Sequence, residues 1–578
     1  MKHLRTNYII EEIPHNNHPN PQLMRDDWAC LNGVWNLEKL NKQGESIFSS
    51  KILVPFSPET LNSGIKGNFV LNTCETLEYS KTFYIEKSKL QKRSVLHFGA
   101  VDSECTVEIN GKLVGSHVGG FTPFSFDISK FLIEGENYIK VKVSDEATRN
   151  SGARGKQSDK RGGIWYTAQS GIWQTVWLEF MPTDCITNVK ITPNRELKKV
   201  CVTFESSSLV KASVFDDGKQ ILTEEGQNFI EFDYDFVEWS PENPKLYDLI
   251  LTNESGDKIS SYFGMRSFEI VSDKNGKLRF GLNGKPYFMN GVLDQGYWSD
   301  GMLTSPSDEA MFDELKMLKD MGFNTVRKHI KIEPMRWYHY CDKLGLIVWQ
   351  DFVNGGGDYK FTHVAAFPFL GFHHSDEDYK YFARTSERGR NEFINSIDET
   401  VNALYNVVSL GVYVPFNEGW GQFDSCKILD ILKSKDNTRI IDLVSGWHDQ
   451  GKTKTPVKSL HTYYTKLKVP KDPRPVVLSE FGGYSLKING HVYDDEKEFG
   501  YKKFKNFEEL SLAVEKLYLK KLLPLIKQGL SGAIYTQVSD VEEEINGLLT
   551  YDRKVQKIST KKMREINDAL KKEWQQIQ

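Results

Sequence analysis

The sequence predicts a multidomain chain: two β-sandwiches, the second immunoglobulin-like, followed by a (β/α)8 barrel. Three observations carry that expectation. The chain has 578 residues, too many for one compact core at ~100–200 residues per domain. As far as Val271 it reads as short strands between Gly, Asn and Asp turns, with no long 3.6-period helix. From Leu278 onward, apolar strands alternate with helical stretches until eight have passed.

In the first block SVLHFGA, ECTVEINGKLVGSH and NYIKVKVSD alternate or run apolar. Asn110-Gly111 lies between two such runs, and both residues accept positive φ cheaply, so a two-residue hairpin is expected there. ITNVKITPN, KVCVTFESS, LVKASVFDDGK and DLILTNESGDK make the second block, from about Asp184 to Val271, and the polar SDKNGK (272–277) is expected to close it as a linker. In the third block Ser307 is the expected N-cap of a helix with Met311, Leu315 and Leu318 on one face and Gly322 at its end. A second helix is expected between Pro334 and Gly345. Strands are expected near 287, 325, 348, 414, 442, 460, 478 and 535. A doubly wound sheet is the alternative, but it has no reason to stop at eight.

Composition excludes several functions. Hydrophobic residues at 39% and charged residues at 26% are the balance of a folded globular chain. Lys+Arg 74 against Asp+Glu 78 leaves no basic field, so neither nucleic acid nor an anionic membrane is an expected partner. No apolar run is long enough to span a bilayer, and the N-terminal stretch shows no signal-peptide core, so a cytoplasmic location is expected. Seven scattered cysteines without C-x-x-C spacing are expected to be free and mostly buried, with no zinc site. No G-x-G-x-x-G follows a strand and no phosphate-loop lysine occurs, so no nucleotide cofactor is indicated. Aromatics at 12% fit sandwich cores, carbohydrate stacking, or both.

In a (β/α)8 enzyme the polar residues at strand C-terminal ends face the site. Those ends supply Asn290 and Asp294, Arg327 and His329, Gln350, Asp351 and Asn354, Asn417 and Glu418, Trp447 and His448, His461 and Tyr463, Glu480, and Gln537 and Asp540. Glu418 and Glu480 stand out, each the first acid after a buried apolar strand. Two glutamates across one bond are what glycoside hydrolysis needs: one donates a proton to the leaving oxygen, the other attacks the anomeric carbon.

The residues resemble glycoside hydrolase family 2 along essentially the whole chain. LNGVWNL (31–37) and SGIWQTVWLEF (170–180) look like its jelly-roll sugar-binding domain; WSPENPKLYDL (239–249) and YFGMRSFEI (262–270) resemble the end of its immunoglobulin-like domain. NGKPYFMNGV (283–292), FNTVRKHIKIEP (323–334), PFNEGW (415–420) and LSEFGG (478–483) resemble its barrel motifs. The resemblance implies domains at 1–181, 182–273 and 274–578. It also implies a retaining mechanism with Glu418 as acid/base and Glu480 as nucleophile, and Asn417 bonding the sugar 2-hydroxyl.

Tyr463 resembles the tyrosine that hydrogen-bonds the nucleophile, with Tyr464 the competing assignment. Arg327 is expected either to pair with Glu480 or to form a barrel-wall ion pair. His461 binds a sugar hydroxyl or is a core histidine. Asp351 and Asn354 stand where relatives bind outer hydroxyls, and Gln537 leaves the subsite polar. Trp420, Trp447, Trp298 and Trp349 are candidates for stacking a pyranose, with core packing the alternative.

No acid matching the one that β-galactosidases supply from the first domain is recognisable in RGKQSDKRGG (154–163). The Asn-x-Lys that β-glucuronidases place before GLLTYDR (547–553) is missing, and Glu542, Glu543 and Glu544 would repel a uronate. The family resemblance implies exo action, so the expected activity is exo-hydrolysis of a terminal β-linked neutral sugar, β-galactoside first, with no cofactor and no metal. α-L-Arabinosidase, β-mannosidase and β-glucuronidase remain alternatives within the family. A non-catalytic carbohydrate-binding protein is the reading from another class. A glycoside is the expected partner, and a homo-oligomer is compatible with the sequence.

Overall fold

The structure is a computed structural model, and it describes residues 4–145, 152–360, 362–451 and 453–577. Alternating apolar residues on Gly33–Leu40, Thr76–Ile85 and Gly135–Ser144 build one face of the first sandwich, a six-stranded sheet packed on a four-stranded one. Trp35, Leu37, Phe98 and Val141 fill the space between. Asn110 and Gly111, at φ 52° and 74°, turn the expected hairpin between Glu104–Ile109 and Lys112–Val118. A second sandwich of three and four strands follows, from Thr187–Asn194 to Lys258–Phe263, around Val202, Val214 and Leu249.

SDKNGK is not a linker. It is the turn of a hairpin between Phe268–Ser272 and Leu278–Leu282, closed by Asp273 N donating to Lys277 O at 2.8 Å. The same residue types end a domain or turn a hairpin, so local sequence did not separate the two. Phe268, Phe280 and Leu282 of this hairpin pack on Met289, Trp349 and Val412 and plug the N-terminal end of the barrel.

The barrel strands are β1 (Met289–Asp294), β2 (Thr325–Lys328), β3 (Ile347–Asp351), β4 (Leu410–Val414), β5 (Ile440–Ile441), β6 (Lys458–Thr462), β7 (Val476–Gly482) and β8 (Leu530–Thr536). They hydrogen-bond in the order β5-β4-β3-β2-β1-β8-β7-β6, all parallel. Between β5 and β6 the described residues form no backbone ladder. Hydroxyls bridge that gap instead: Ser445 and Ser459 both donate to Ser479 Oγ, at 3.0 and 2.5 Å.

Ser307 caps helix Asp308–Asp320 by accepting from Ala310 N, and Gly345, at φ 71°, ends helix Met335–Leu344. No helix among the described residues is long and apolar enough to cross a membrane. All seven cysteines are free, but only Cys105, Cys185 and Cys341 are fully buried, and Cys74 is exposed. Burial of the others was over-expected, because a thiol at a sandwich surface leaves the same trace in sequence as one inside.

Candidate active site

β4 and β5 run on past Pro415 and Leu443 as a second short ladder, Phe416–Asn417 against Val444–Ser445. That ladder carries Glu418 to the top of the barrel, its N–H donating to Ser445 O at 3.0 Å. Glu418 has φ 52°, a left-handed conformation costly for a residue with a Cβ, and this turn aims its side chain along the mouth. Glu480 stands in β7. One oxygen of each carboxylate and a ring nitrogen of His461 all lie within 4.8 Å of one another.

The two acids have opposite electrostatics. Burial raises Glu418, the charge of Glu480 adds to the rise, and the neighbouring His461 and Lys156 only partly offset it. Burial pushes Glu480 the same way, but His461, Arg327 and the Tyr463 hydroxyl outweigh it and hold the carboxyl below the ordinary range. Tyr463 donates to Glu480 Oε2. Arg327 reaches Glu480 Oε1 at 3.3 Å.

His461 sits between the pair: Nδ1 is 2.7 Å from Glu418 Oε1, and Nε2 is 3.1 Å from Ser445 Oγ and 3.5 Å from Glu480 Oε1. One proton arrangement satisfies all three contacts. One proton shared between Glu418 Oε1 and Nδ1, with Nε2–H directed toward Ser445 and Glu480, meets them. The same trio is of cation-ligand type, but both ring nitrogens are already hydrogen-bonded, so a cation would have to displace Glu418 or Ser445.

Arg327 organises the floor. Its Nε and Nη2 hold Asp351 at 2.9 and 3.0 Å, Nη1 holds Ser479 O and Glu480, and Nη2 also donates to Asn417 Oδ1 at 2.8 Å. That bond orients the Asn417 amide and leaves its Nδ2, buried, without a partner among the described residues. Asp351 accepts from His329 Nδ1 as well, at 2.7 Å, so both its oxygens are taken. It is a support for Arg327 rather than a free acceptor for a sugar hydroxyl. Burial and the nearby Lys156 hold His329 well below the usual histidine range, so it is neutral.

Other expected residues distribute as follows. Asn354 is buried, and neither of its side-chain polar atoms has a partner among the described residues. Gln537 donates to Asn546 Oδ1 at 2.7 Å and leaves its Oε1 open. Trp447 is half-buried with its ring 6.4 Å from that of His461. Trp420 is buried between Trp165 and His329. Of the two tyrosines only Tyr463 reaches Glu480; Tyr464 is 66% exposed.

Several candidates belong elsewhere. Trp349 packs on Phe280 in the barrel floor, and Trp298 lies against Tyr8 and Arg553. Asn290 is at the N-terminal end of β1, bonded to Asn567. Asp294 pairs with Lys328, Gln350 accepts from Tyr338, and Asp540 pairs with Lys557 at 2.7 Å. Strand-end position selects residues near the mouth but not which of them are already satisfied by neighbours.

The first domain completes the mouth. Ala153 bridges to Gly355, and Arg154 N and Gly155 N donate to Asn354 O at 3.0 and 2.9 Å. Tyr166 and Trp173 share a core with Ile330, Val353 and Trp420. Glu542, Glu543 and Glu544 latch this segment. Glu542 accepts from Thr167 N, Glu543 from Gly163 N and Arg161, and Glu544 from Tyr166 and Asn546. Each of the three acids thus holds the first domain, while Glu542 Oε2 has no hydrogen-bond partner among the described residues. Lys156, on the latched segment, was missed, because only the fold brings it to the barrel.

Family models agree with this architecture. The sugar binding domain of glycosyl hydrolases family 2 matches residues 51–182, a further model described as glycosyl hydrolases family 2 matches 177–266, and the family's TIM barrel domain matches 274–567. The chain belongs to glycosyl hydrolases family 2. A β-galactosidase of Thermoanaerobacter pseudethanolicus is 27% identical over 300 residues, 47% of this chain and 39% of that protein. A putative β-glucuronidase of Formosa agariphila is 29% identical over 299 residues, 48% of this chain and 27% of that protein. The chain thus spans less than half the length of these relatives. In fold it is similar to a β-glucuronidase from an uncultured Clostridium sp., with TM-score 0.73, 16% identity, and coverage of 95% of this chain and 99% of that one.

Proposed function

We propose that the chain is a retaining exo-β-glycosidase working by double displacement. The observation that carries this reading is the approach of Glu418 and Glu480 to within 4.8 Å. Retaining enzymes place the two carboxyl groups ~5–5.5 Å apart, whereas inverting ones need ~6.5–9.5 Å to admit a water. The opposite shifts of the two acids fit the same roles.

In the first step Glu418 gives its proton to the glycosidic oxygen, the aglycone leaves as an alcohol, and Glu480 bonds to the anomeric carbon. In the second, Glu418, now ionised, takes a proton from water as its oxygen attacks that carbon and Glu480 departs. The open Nδ2 of Asn417 is placed to donate to the 2-hydroxyl, and Tyr463 and Arg327 keep Glu480 ionised between turnovers. Exo action is supported by the first domain sealing one side of the mouth. The β-galactosidases among the relatives make a β-hexoside the first substrate to try.

The test is the anomer released first from an aryl β-hexoside, followed by NMR before mutarotation: the β-hemiacetal is expected, and the α-anomer would refute retention. Glu480→Gln should lower turnover by several orders of magnitude while sugar binding survives. Equal turnover in mutant and parent would mean that Glu480 is not the nucleophile. A chelator should leave the rate unchanged; a loss restored by a divalent ion would assign the Glu418–His461–Glu480 trio to a metal instead.

A further inference from the structure

Lys156 is a buried cation at the barrel mouth without a contacting counter-charge among the described residues. It is 6% exposed, and its Nζ makes no hydrogen bond or ion pair there; it lies 5.5 Å from the ring centroids of both Tyr166 and Trp420. Two ring faces recover only part of what an ammonium gives up on leaving water.

The backbone, not the head group, fixes this position. Tyr166 N donates to Lys156 O at 3.0 Å, and Arg154 N and Gly155 N are tied to Asn354 O. Gly155 has φ 60°, and a Cβ there would meet Ile330 O at 3.1 Å, so this close approach of the domains needs glycine. Lys156 is close enough to pull downward on Glu418, Asp351 and His329.

Across the seam, Asn354 offers a buried amide with both polar atoms open. The acids that sequence sets against an anion, Glu542 to Glu544, are engaged in the latch, apart from Glu542 Oε2. The Lys156 ammonium has no contacting carboxylate at this seam among the described residues. A neutral hydroxyl would leave the ammonium without a counter-charge; an oxyanion would supply one and accept from an amide beside it.

We propose that Lys156 is a specificity-determining residue that selects a sugar bearing an anionic group, a carboxylate or a sulfate, by pairing with it. The inference rests on the glycosidase reading and names the substrate class for that same site.

The experiment compares 4-nitrophenyl β-D-glucuronide, β-D-galacturonide and 6-O-sulfo-β-D-galactoside with the neutral β-D-glucoside and β-D-galactoside. The parent enzyme should prefer an anionic substrate over its neutral counterpart by on the order of 10²-fold in kcat/KM, and the arm that wins distinguishes carboxylate from sulfate. Lys156→Met should collapse that ratio by at least about 30-fold, and Lys156→Arg should keep most of it. Thermal melts of both variants check folding.

A parent that prefers the neutral hexosides overturns the proposal, as does a Lys156→Met variant that loses neutral and anionic substrates alike. If no aryl glycoside is turned over, the glycosidase reading is what fails. Calorimetry with free glucuronate, galacturonate and galactose 6-sulfate against glucose and galactose then still decides the inference. Tighter binding of an anionic sugar that is lost in Lys156→Met supports it, and equal binding of anionic and neutral sugars refutes it.

Discussion

Glu418 and Glu480 are the same residue type in one mouth, and their surroundings alone assign them different protonation states. Glu418 is raised above, and Glu480 lowered below, the ordinary glutamate value of 4.5. The sign follows directly: kcat/KM falls on the acid side as Glu480 gains a proton, below 4.5, and on the alkaline side as Glu418 loses its own, above 4.5. The two limbs belong to the coupled pair. With a leaving group that needs no protonation, Glu418→Gln should abolish the alkaline limb and keep the acid one. Tyr463→Phe removes a donor that favours ionised Glu480, so the acid limb should move to higher pH and kcat should fall roughly 10²-fold. Both are read from pH–rate profiles. These two glutamates were legible because each follows an apolar strand. His461 was legible only as a polar strand residue, since which atom it touches depends on three strands at once.

At the level of elements, local chemistry explains most boundaries. Ser307 satisfies Ala310 N at the start of its helix, so Ser307→Ala should cost about 1 kcal/mol in urea denaturation without changing kcat. After β8, Asp540 and Lys557 form a buried pair, with Asp540 raised to about 6 by burial. Asp540→Asn would strand the Lys557 ammonium and should cost about 3–5 kcal/mol. A Lys557→Met companion change should recover part of that in a double-mutant cycle. Periodicity and caps revealed the eight strands and two helix starts because they record which side of an element is buried. They did not reveal that SDKNGK turns a hairpin under the barrel, because turn residues carry no information about what lies beneath.

For the whole molecule, the decisive event is the docking of the first domain over the barrel. The acids at 542–544 receive the segment 161–167, and that segment carries the site's remaining wall. Glu544→Ala loosens the hold on Tyr166 and should raise KM several-fold with a smaller change in kcat, as expected when a group that shapes the site, rather than one that reacts, is disturbed. Steady-state kinetics on the best hexoside would show it.

By itself, the amino-acid sequence determined the order of two sandwiches and a barrel and marked the strand ends on which the two proposed acids stand. Each of these is written in spacing over fewer than about twenty residues, the range over which burial imposes a period. The tertiary structure decided how close the two acids come, which tyrosine serves Glu480, what occupies Glu542 to Glu544, and where Lys156 points. Charges and hydrogen bonds act through distance in space. Residues far apart in the chain acquire that distance only when whole domains pack.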